Sequence, residues 1–381
     1  MTSKCKFTFV DLFAGAGGLS LGLEQAGFEP VFVNEIVAQY NETYRKNRNL
    51  KDDQYYVGDI KSLNEHIQDY LPKIKGVDLV CGGPPCQGFS MANRQRILDD
   101  PRNQLYKEYL KFLAAVRPKF FIMENVRGMS NKWDEIKENF ETFLNKGHRE
   151  KYKFASNLFY AEDYGVPQHR ERFIVIGNRI GADPQAVFDE IFKYKKSAFV
   201  LKDALEGLPS LGHKKEKGNN SAEDEDTGYT KCSFVYPKTD FYKFINGNKN
   251  LKILYNHKNR YNNDRDVEIY RRLPQGGNSL HESIADIMPY KSRNDIFKDK
   301  YFKLEENKVC KTITSHMKFD CNMYIHPWYS RGLSPREAAR LQTFPDDYVF
   351  YGPQNSWYAQ IGNAVPVKLA YALGKGIVKF L

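Results

Sequence analysis

Pro84-Pro85-Cys86-Gln87 closes the apolar run Val77-Asp78-Leu79-Val80-Cys81-Gly82-Gly83 on a cysteine placed to act as a nucleophile. A free thiol has a pKa of about 8.5 and attacks well only as thiolate, which a glycine-rich strand-to-loop turn helps to favour. The plainer reading of Cys86 is a small buried hydrophobe. Two prolines fix the backbone ahead of it and Gly88 lets a ligand approach closely, so the surroundings weigh toward chemistry. Glu124, in Met123-Glu124-Asn125-Val126, ends an apolar strand that would desolvate the carboxyl and favour its acid form. Its alternative is a structural carboxylate bonded to backbone amides. Gln168-His169-Arg170-Glu171-Arg172 sets Arg170 and Arg172 just before a strand and, by strand alternation, on one side, suited to hold a phosphate or a base carbonyl. Surface ion pairs with Glu171 are the alternative.

Asp11-Leu12-Phe13-Ala14-Gly15-Ala16-Gly17-Gly18 follows a strand and opens a helix, where α/β proteins hold a nucleotide-like cofactor. The dinucleotide fingerprint starting at Gly15 would need glycine at position 20, where Ser20 stands, so a pyrophosphate turn is disfavoured. Glu35 closes the next strand, spaced to accept from both hydroxyls of a ribose, with Ile36 beside it. Asp59, in Val57-Gly58-Asp59-Ile60, ends the following strand and is placed to accept from an adenine amino group. A glycine turn and two carboxylates without phosphate ligands point to S-adenosylmethionine.

The elements that must carry these residues alternate through the first half of the chain: short apolar strand, loop, amphipathic helix. Strands are expected at Phe7–Val10, Val31–Val33, Val77–Val80, Phe120–Met123 and Phe173–Ile176, and helices at Leu19–Ala26 and Tyr106–Val116. The fold class is α/β, a doubly wound, mostly parallel sheet, whose ligands sit beyond the carboxyl ends of the strands. Residues 214–228 are charged and of low complexity and read as an exposed loop. From Tyr229 to about Ser330 the chain is rich in Asn, Lys, Arg and Tyr and reads as an inserted, irregular or β-rich domain. Ser334-Pro335-Arg336-Glu337 is a capping box that starts a helix, and a last helix runs from Val367 to about Phe380. The expected divisions are residues 1–198, catalytic and cofactor-binding; 199–335, recognition; 336–361, a hinge and connecting segment; and 362–381, a returning helix.

At 381 residues and 41% hydrophobic content the chain can bury a sizeable core. A formal net charge of +10 favours a polyanionic partner. Six cysteines without a Cys-x-x-Cys pair, and no apolar leader, argue against a disulfide scaffold, a zinc ribbon or secretion, and no apolar run reaches membrane-spanning length. The expectation is a soluble intracellular protein without metal.

Taken together, the blocks DLFAGAGG, GGPPCQGFS, MENV, QHRER, RGLSPREAARLQTFPDDY and QIGNAVP, in that order, resemble the DNA (cytosine-5) methyltransferase family. With their neighbours they cover roughly half the chain, and the Pro-Cys-Gln block is the most specific. The resemblance implies Cys86 as nucleophile, Glu124 on the pyrimidine edge, and Arg170 and Arg172 holding the flipped nucleotide and the active-site loop. It implies a cofactor pocket in which Phe13 lies against the adenine, Glu35 on the ribose and Asp59 on the exocyclic amine. Gly15, Gly17, Gly18, Ile36, Ile60, Gly83, Pro85, Leu105, Asn363 and Ala364 complete that pocket. Gln87, Ser90, Gly276, Gly277 and Thr312 are implied to approach DNA. The partner implied is double-stranded DNA met by a monomer in the bacterial cytoplasm, at the nucleoid, functionally paired with a cognate restriction endonuclease. A zinc cytidine deaminase would need Pro-Cys-x-x-Cys, but Phe89 stands at the second cysteine. Two alternatives stand: a tRNA cytosine-5 methyltransferase, whose Cys-Phe-Thr signature is absent here, and an inactive DNA-binding homologue.

Overall fold

The computed structural model describes residues 7–85, 104–214, 216–217, 223, 228–289 and 298–381, and the chain divides into two compact units. The first unit comprises Met1–Gly165, Arg170–Ser197 and Ala364–Leu381, and the second Val166–His169 and Ala198–Asn363.

The first unit is a seven-stranded sheet between helices. In chain order it runs β1 (Phe7–Leu12), α1 (Gly18–Ala26), β2 (Phe28–Glu35), α2 (Ala38–Lys46), β3 (Tyr55–Val57), α3 (Ile60–Glu65), α4 (Ile67–Ile74), β4 (Leu79–Gly82), α5 (Leu105–Val116), β5 (Phe120–Val126), α6 (Trp133–Leu144), β6 (Lys153–Tyr160), β7 (Glu171–Asn178) and α7 (Pro184–Phe192). The sheet order is β3-β2-β1-β4-β5-β7-β6. β1 to β5 pair in parallel, as the alternation of strands and helices predicts. β7 instead runs antiparallel to both β5 and β6. That reversal brings the start of β7, with Arg172, to the edge where β1, β2, β4 and β5 end. β2 begins three residues earlier than expected, and its pairing with β1 slips after Phe9↔Pro30, where proline has no N–H to give the ladder.

Inward residues Val10, Leu12, Phe32, Val80, Phe121 and Met123 share one core with Tyr109, Phe112, Leu113, Ile136 and Phe140 of α5 and α6. Burial of this kind contributes roughly 1.5–3 kcal/mol per large apolar side chain.

The second unit carries α8 (Leu201–Leu205), β8 (Gly228–Ser233), α9 (Asp240–Asn246), β9 (Ile253–Lys258), α10 (Asp264–Arg272), α11 (Pro335–Leu341) and α12 (Gln354–Asn363). Among the described residues its only sheet is the antiparallel pair β8–β9, so irregular is the apt word and β-rich is not. Lys214, at the head of the low-complexity stretch, is buried.

Residues 336–361 do not form a separate connecting segment. They lie within the second unit, because every residue of α11 is buried. Arg336 donates to the carbonyls of Tyr255, Pro345 and Tyr348 at 2.7, 3.0 and 2.5 Å. Arg340 clasps both oxygens of Asp346 at 2.8 and 2.9 Å, and Arg331 clasps those of Glu337 at 2.7 and 2.8 Å. The capping box forms as expected, with Glu337 N–H donating to Ser334 Oγ at 3.2 Å and Ser334 N–H to Glu337 Oε2 at 2.7 Å.

The last helix, α13 (Val367–Val378), returns to the first unit and packs on α1 and α7. Gly22 permits the crossing, since a Cβ there would lie 2.4 Å from Ala370 Cβ.

Candidate active site

The site is assembled at the carboxyl edge of the large sheet. After β1 the chain makes a tight loop in which Phe13, Gly15 and Gly17 all take left-handed φ of 57°, 57° and 78°. For Phe13 this costs roughly 1–2 kcal/mol, strain of a kind that concentrates at ligand sites. Two strand ends hold the loop: Ala14 N–H donates to Asn34 O at 3.1 Å, and Gly15 N–H to Glu35 Oε2 at 2.7 Å. The other oxygen of Glu35 accepts from Val37 N–H at 2.8 Å. Burial pushes the Glu35 carboxyl up from its ordinary pKa, against the pull of these amides. The backbone N–H of Ile36 also contributes a hydrogen bond to this carboxylate, and with four acceptor positions it keeps capacity for a further donor.

Ile36, beside it, is 63% exposed, and Val37 and Val57 are exposed as well. Large apolar groups left in water next to a buried carboxylate make an amphipathic platform suited to a nucleoside. Gly58 N–H donates to Glu35 O at 3.2 Å, and Asp59 beyond it is the N-cap of α3, two residues past the end of β3, accepting from Lys61 N–H at 2.9 Å. Ile60 is buried in the core, so only its backbone could face a ligand. A Cβ on Gly15 would meet nothing within 4 Å, so the space over the loop is open. Gly18 begins α1. The residues present fit a nucleoside with a ribose.

Beside this platform β4 runs out into Gly83-Pro84-Pro85. A Cβ on Gly83 would lie 2.7 Å from Glu124 Oε2, so the loop passes directly against that carboxylate. Asn125 Nδ2 donates to Pro84 O at 2.9 Å, fixing the chain just ahead of Cys86. Pro85 is exposed. Arg172 Nε stands 2.5 Å from Glu124 Oε1. Glu124 is largely out of water, and its carboxylate has a guanidinium as partner. Arg170 is buried immediately before β7, and the Glu171 carboxylate pairs with Arg127 at 3.0 Å. Leu105 opens α5 and packs against the core, and Ala364 is buried just ahead of α13. Cys86, Gln87 and Ser90 lie outside the described residues.

Residues 7–379 match the family model described as C-5 cytosine-specific DNA methylase. Among similar proteins, Type II methyltransferase M1.HphI of Haemophilus parahaemolyticus is 33% identical over 98% of this chain and 87% of its own. Type II methyltransferase M.DdeI of Desulfomicrobium norvegicum is 32% identical over 97% and 88%. A crystal structure of a prophage-encoded E. coli protein, described as a candidate DNA modification methyltransferase, superposes with a TM-score of 0.74 at 27% identity, covering 98% of this chain and 99% of that one. The chain belongs to the C-5 cytosine-specific DNA methylase family.

As a C-5 cytosine-specific DNA methylase it acts on DNA and takes a methyl donor of the S-adenosylmethionine type. Among the described residues no helix is long and apolar enough to cross a membrane, and no group of acidic, His or Cys side chains could hold a metal ion.

Asn363, Gly276, Gly277 and Thr312 belong to the second unit. Gly276 and Gly277 form a turn pinned to Lys303, with Gly276 N–H to Lys303 O at 2.8 Å and Lys303 N–H to Gly277 O at 3.0 Å. The Thr312 hydroxyl donates to His169 O at 2.5 Å, so toward a ligand it can act as an acceptor. Asn363 is the exposed last residue of α12.

The sequence reading missed Asn125, whose support of Pro84 depends on β4 and β5 being neighbours. It also missed Tyr44 of α2 and Arg48 past its end, which press on the glycine loop. No spacing rule connects either to its target.

Proposed function

We propose that this methylase transfers a methyl group from S-adenosylmethionine to carbon 5 of a cytosine flipped out of duplex DNA, through a covalent adduct with Cys86. The observation that carries the reading is the meeting of Gly83, Pro84, Glu124 and Arg172 at the strand end that leads into Cys86, one strand away from the glycine loop.

Glu35 would hold the ribose hydroxyls, Asp59 the adenine amine, and Phe13 and Ile36 the ring faces. Gly17, Gly18, Gly83, Pro85, Leu105 and Ala364 would complete the pocket. The bound donor supplies the methyl group as a sulfonium, which is the electrophile.

Carbon 5 of cytosine is a poor nucleophile on its own. The Cys86 thiolate forms a bond to C6, and the π pair of C5=C6 moves onto the ring as an enamine. C5 takes the methyl group as the donor's S–CH₃ bond breaks, with its electron pair left on sulfur. A base then removes the C5 proton, that C–H pair re-forms C5=C6, and the C6–S bond breaks to release the thiolate. Arg172 holds Oε1 of Glu124, so Oε2 is the atom left to share a proton with ring N3 and offset the charge of the adduct. Arg170 would steady the nucleotide. Flipping the base costs a few kcal/mol, which contacts from the recognition unit, around Gly276 and Gly277, and from Gln87 and Ser90 must offset.

The reading extends to a sequence-specific monomer acting in the bacterial cytoplasm beside a cognate restriction endonuclease; the bacterial origin and Type II names of the relatives support the setting and the pairing with restriction.

The test is transfer of tritiated methyl from S-adenosylmethionine to genomic DNA and to tRNA in parallel, with bisulfite sequencing of the labelled product. Label at one cytosine of a short DNA motif is expected. Label in tRNA alone, or in neither, would overturn the reading.

A further inference from the structure

The glycine loop has a second anchor besides Glu35. Gly17 takes a left-handed φ of 78°, and a Cβ on it would lie 2.7 Å from Tyr44 Cδ2 and 2.9 Å from Arg48 Nη1, so α2 and the residue just beyond it press directly on the loop backbone. Arg48 Nη2 donates to Gly17 O at 3.1 Å, while Nε and Nη2 clasp Glu24 at 2.6 and 3.1 Å. The guanidinium lies 3.9 Å from the centre of the Tyr44 ring. The Tyr44 hydroxyl in turn is 2.7 Å from Ser20 Oγ, which donates to Asp11 Oδ2 at 2.5 Å. Asp11, Ser20 and Tyr44 are all buried.

We propose that Ser20, Tyr44 and Arg48 are positioning residues for the methyl donor, fixing Gly17 as Glu35 fixes Gly15. The inference rests on the methyl-transfer reading above. A scaffold alone does not call for this chain. A buried carboxylate, hydroxyl and phenol are costly unless every member is satisfied, and apolar side chains would fill the space at no such cost. What the chain adds over apolar packing is a fixed geometry. It runs from β1, beneath the loop, to α2, beside it, so it sets how far Gly17 stands from the β1 strand end. Burial also pushes the Asp11 carboxyl up to about 7, against the hydrogen bonds of Ser20 and Cys81. Ser20 stands where a dinucleotide-binding loop would need its third glycine. Here the loop is held by side-chain hydrogen bonds instead of by close helix packing.

The experiment is steady-state methyl transfer by the full chain carrying Tyr44→Phe, Ser20→Ala or Arg48→Lys. Donor is varied at saturating DNA and DNA at saturating donor, with S-adenosylhomocysteine binding by calorimetry and thermal unfolding alongside. The KM for S-adenosylmethionine should rise about tenfold, the weight of one hydrogen bond of about 1.4 kcal/mol, while kcat and the KM for DNA stay within about twofold. Ser20→Thr, which keeps the hydroxyl, should restore the donor KM. Tyr44→Phe keeps the ring beneath Arg48, so it tests the chain even where Ser20→Ala fails to fold. Variants that lose thermal stability but keep the wild-type donor KM, in a wild type that binds and transfers, overturn this inference alone. A wild type that neither binds S-adenosylhomocysteine nor transfers methyl overturns the methyl-transfer reading and this inference with it.

Discussion

Glu35 at the edge of the large sheet and Glu337 in α11 are both buried carboxylates, and they are held in opposite ways. Glu35 is met by neutral backbone amides, stands next to exposed Ile36, and has its pKa raised by burial. Burial acts on Glu337 too, but Arg331 and His326 hold its carboxyl well below the usual range, and nothing around it is open. A carboxylate compensated only by amides retains capacity for further donors such as the hydroxyls of a ligand. One whose two oxygens are both taken by a guanidinium has no such capacity, and removing either partner leaves a buried charge. On the proposed reading, the difference separates a part of the protein that meets ligands from a part that holds a unit together, although both are dense in charge.

That contrast can be broken by substitution. Glu124→Gln, at the sheet edge, should lower kcat by about 10²- to 10⁴-fold, the usual weight of a general acid or base, with the melting temperature little changed. An equal loss of folding in circular dichroism melts would make Glu124 a structural group instead. Glu337→Ala should do the reverse. It strands Arg331 and should cost about 3–5 kcal/mol in urea unfolding of the second unit. A folded, fully stable variant would contradict the structural role given to α11.

Acid should act on the second unit through His257, whose Nε2–H donates to Pro209 O at 2.8 Å and whose Nδ1 accepts from Ser334 Oγ at 2.9 Å. Burial pushes this imidazole down from 6.5 to about 4. Between those values the unfolded chain binds the proton and the folded one does not, so stability is full above about pH 6.5 and falls toward pH 4. The loss is on the order of 3 kcal/mol. In denaturant titrations across that window His257→Gln, which keeps a donor for Pro209, should flatten the slope, and an unchanged slope would assign it to other groups. Smallest in size but sharpest for the comparison is Glu35→Gln. Loss of the charged acceptor should raise the donor KM by about tenfold to a hundredfold, or about 1.5–3 kcal/mol, without changing the KM for DNA.

Strand ends and blocks of local sequence were the readable part of this protein. The runs from Phe7, Val77 and Phe120 are apolar enough to be strands, and the loop after β1 and the capping box at Ser334 are set by neighbours in sequence. β6 was not legible, because it lies at the sheet edge, half-exposed, and lacks an apolar run. Nor was the reversal of β7, since hydrophobic periodicity carries no strand direction. The block RGLSPREAARLQTFPDDY was legible as a motif but not as an ion-paired interior, because its partners Tyr255 and Ala204 lie far away in sequence. In the candidate site, Glu35 and the glycine loop followed from spacing. The guanidinium beside Glu124 and the amide of Asn125 on Pro84 required knowing which strands are neighbours.

The central claim is the Cys86 adduct, and the most direct measurement is covalent capture. Purified protein is incubated with S-adenosylmethionine and DNA from cells grown in 5-aza-2′-deoxycytidine, then run on a denaturing gel. Wild type should shift to a DNA-bound species that resists denaturation, and Cys86→Ser should not, while still binding S-adenosylhomocysteine. An adduct that survives in Cys86→Ser, or methyl transfer by the wild type without any adduct, would contradict the account.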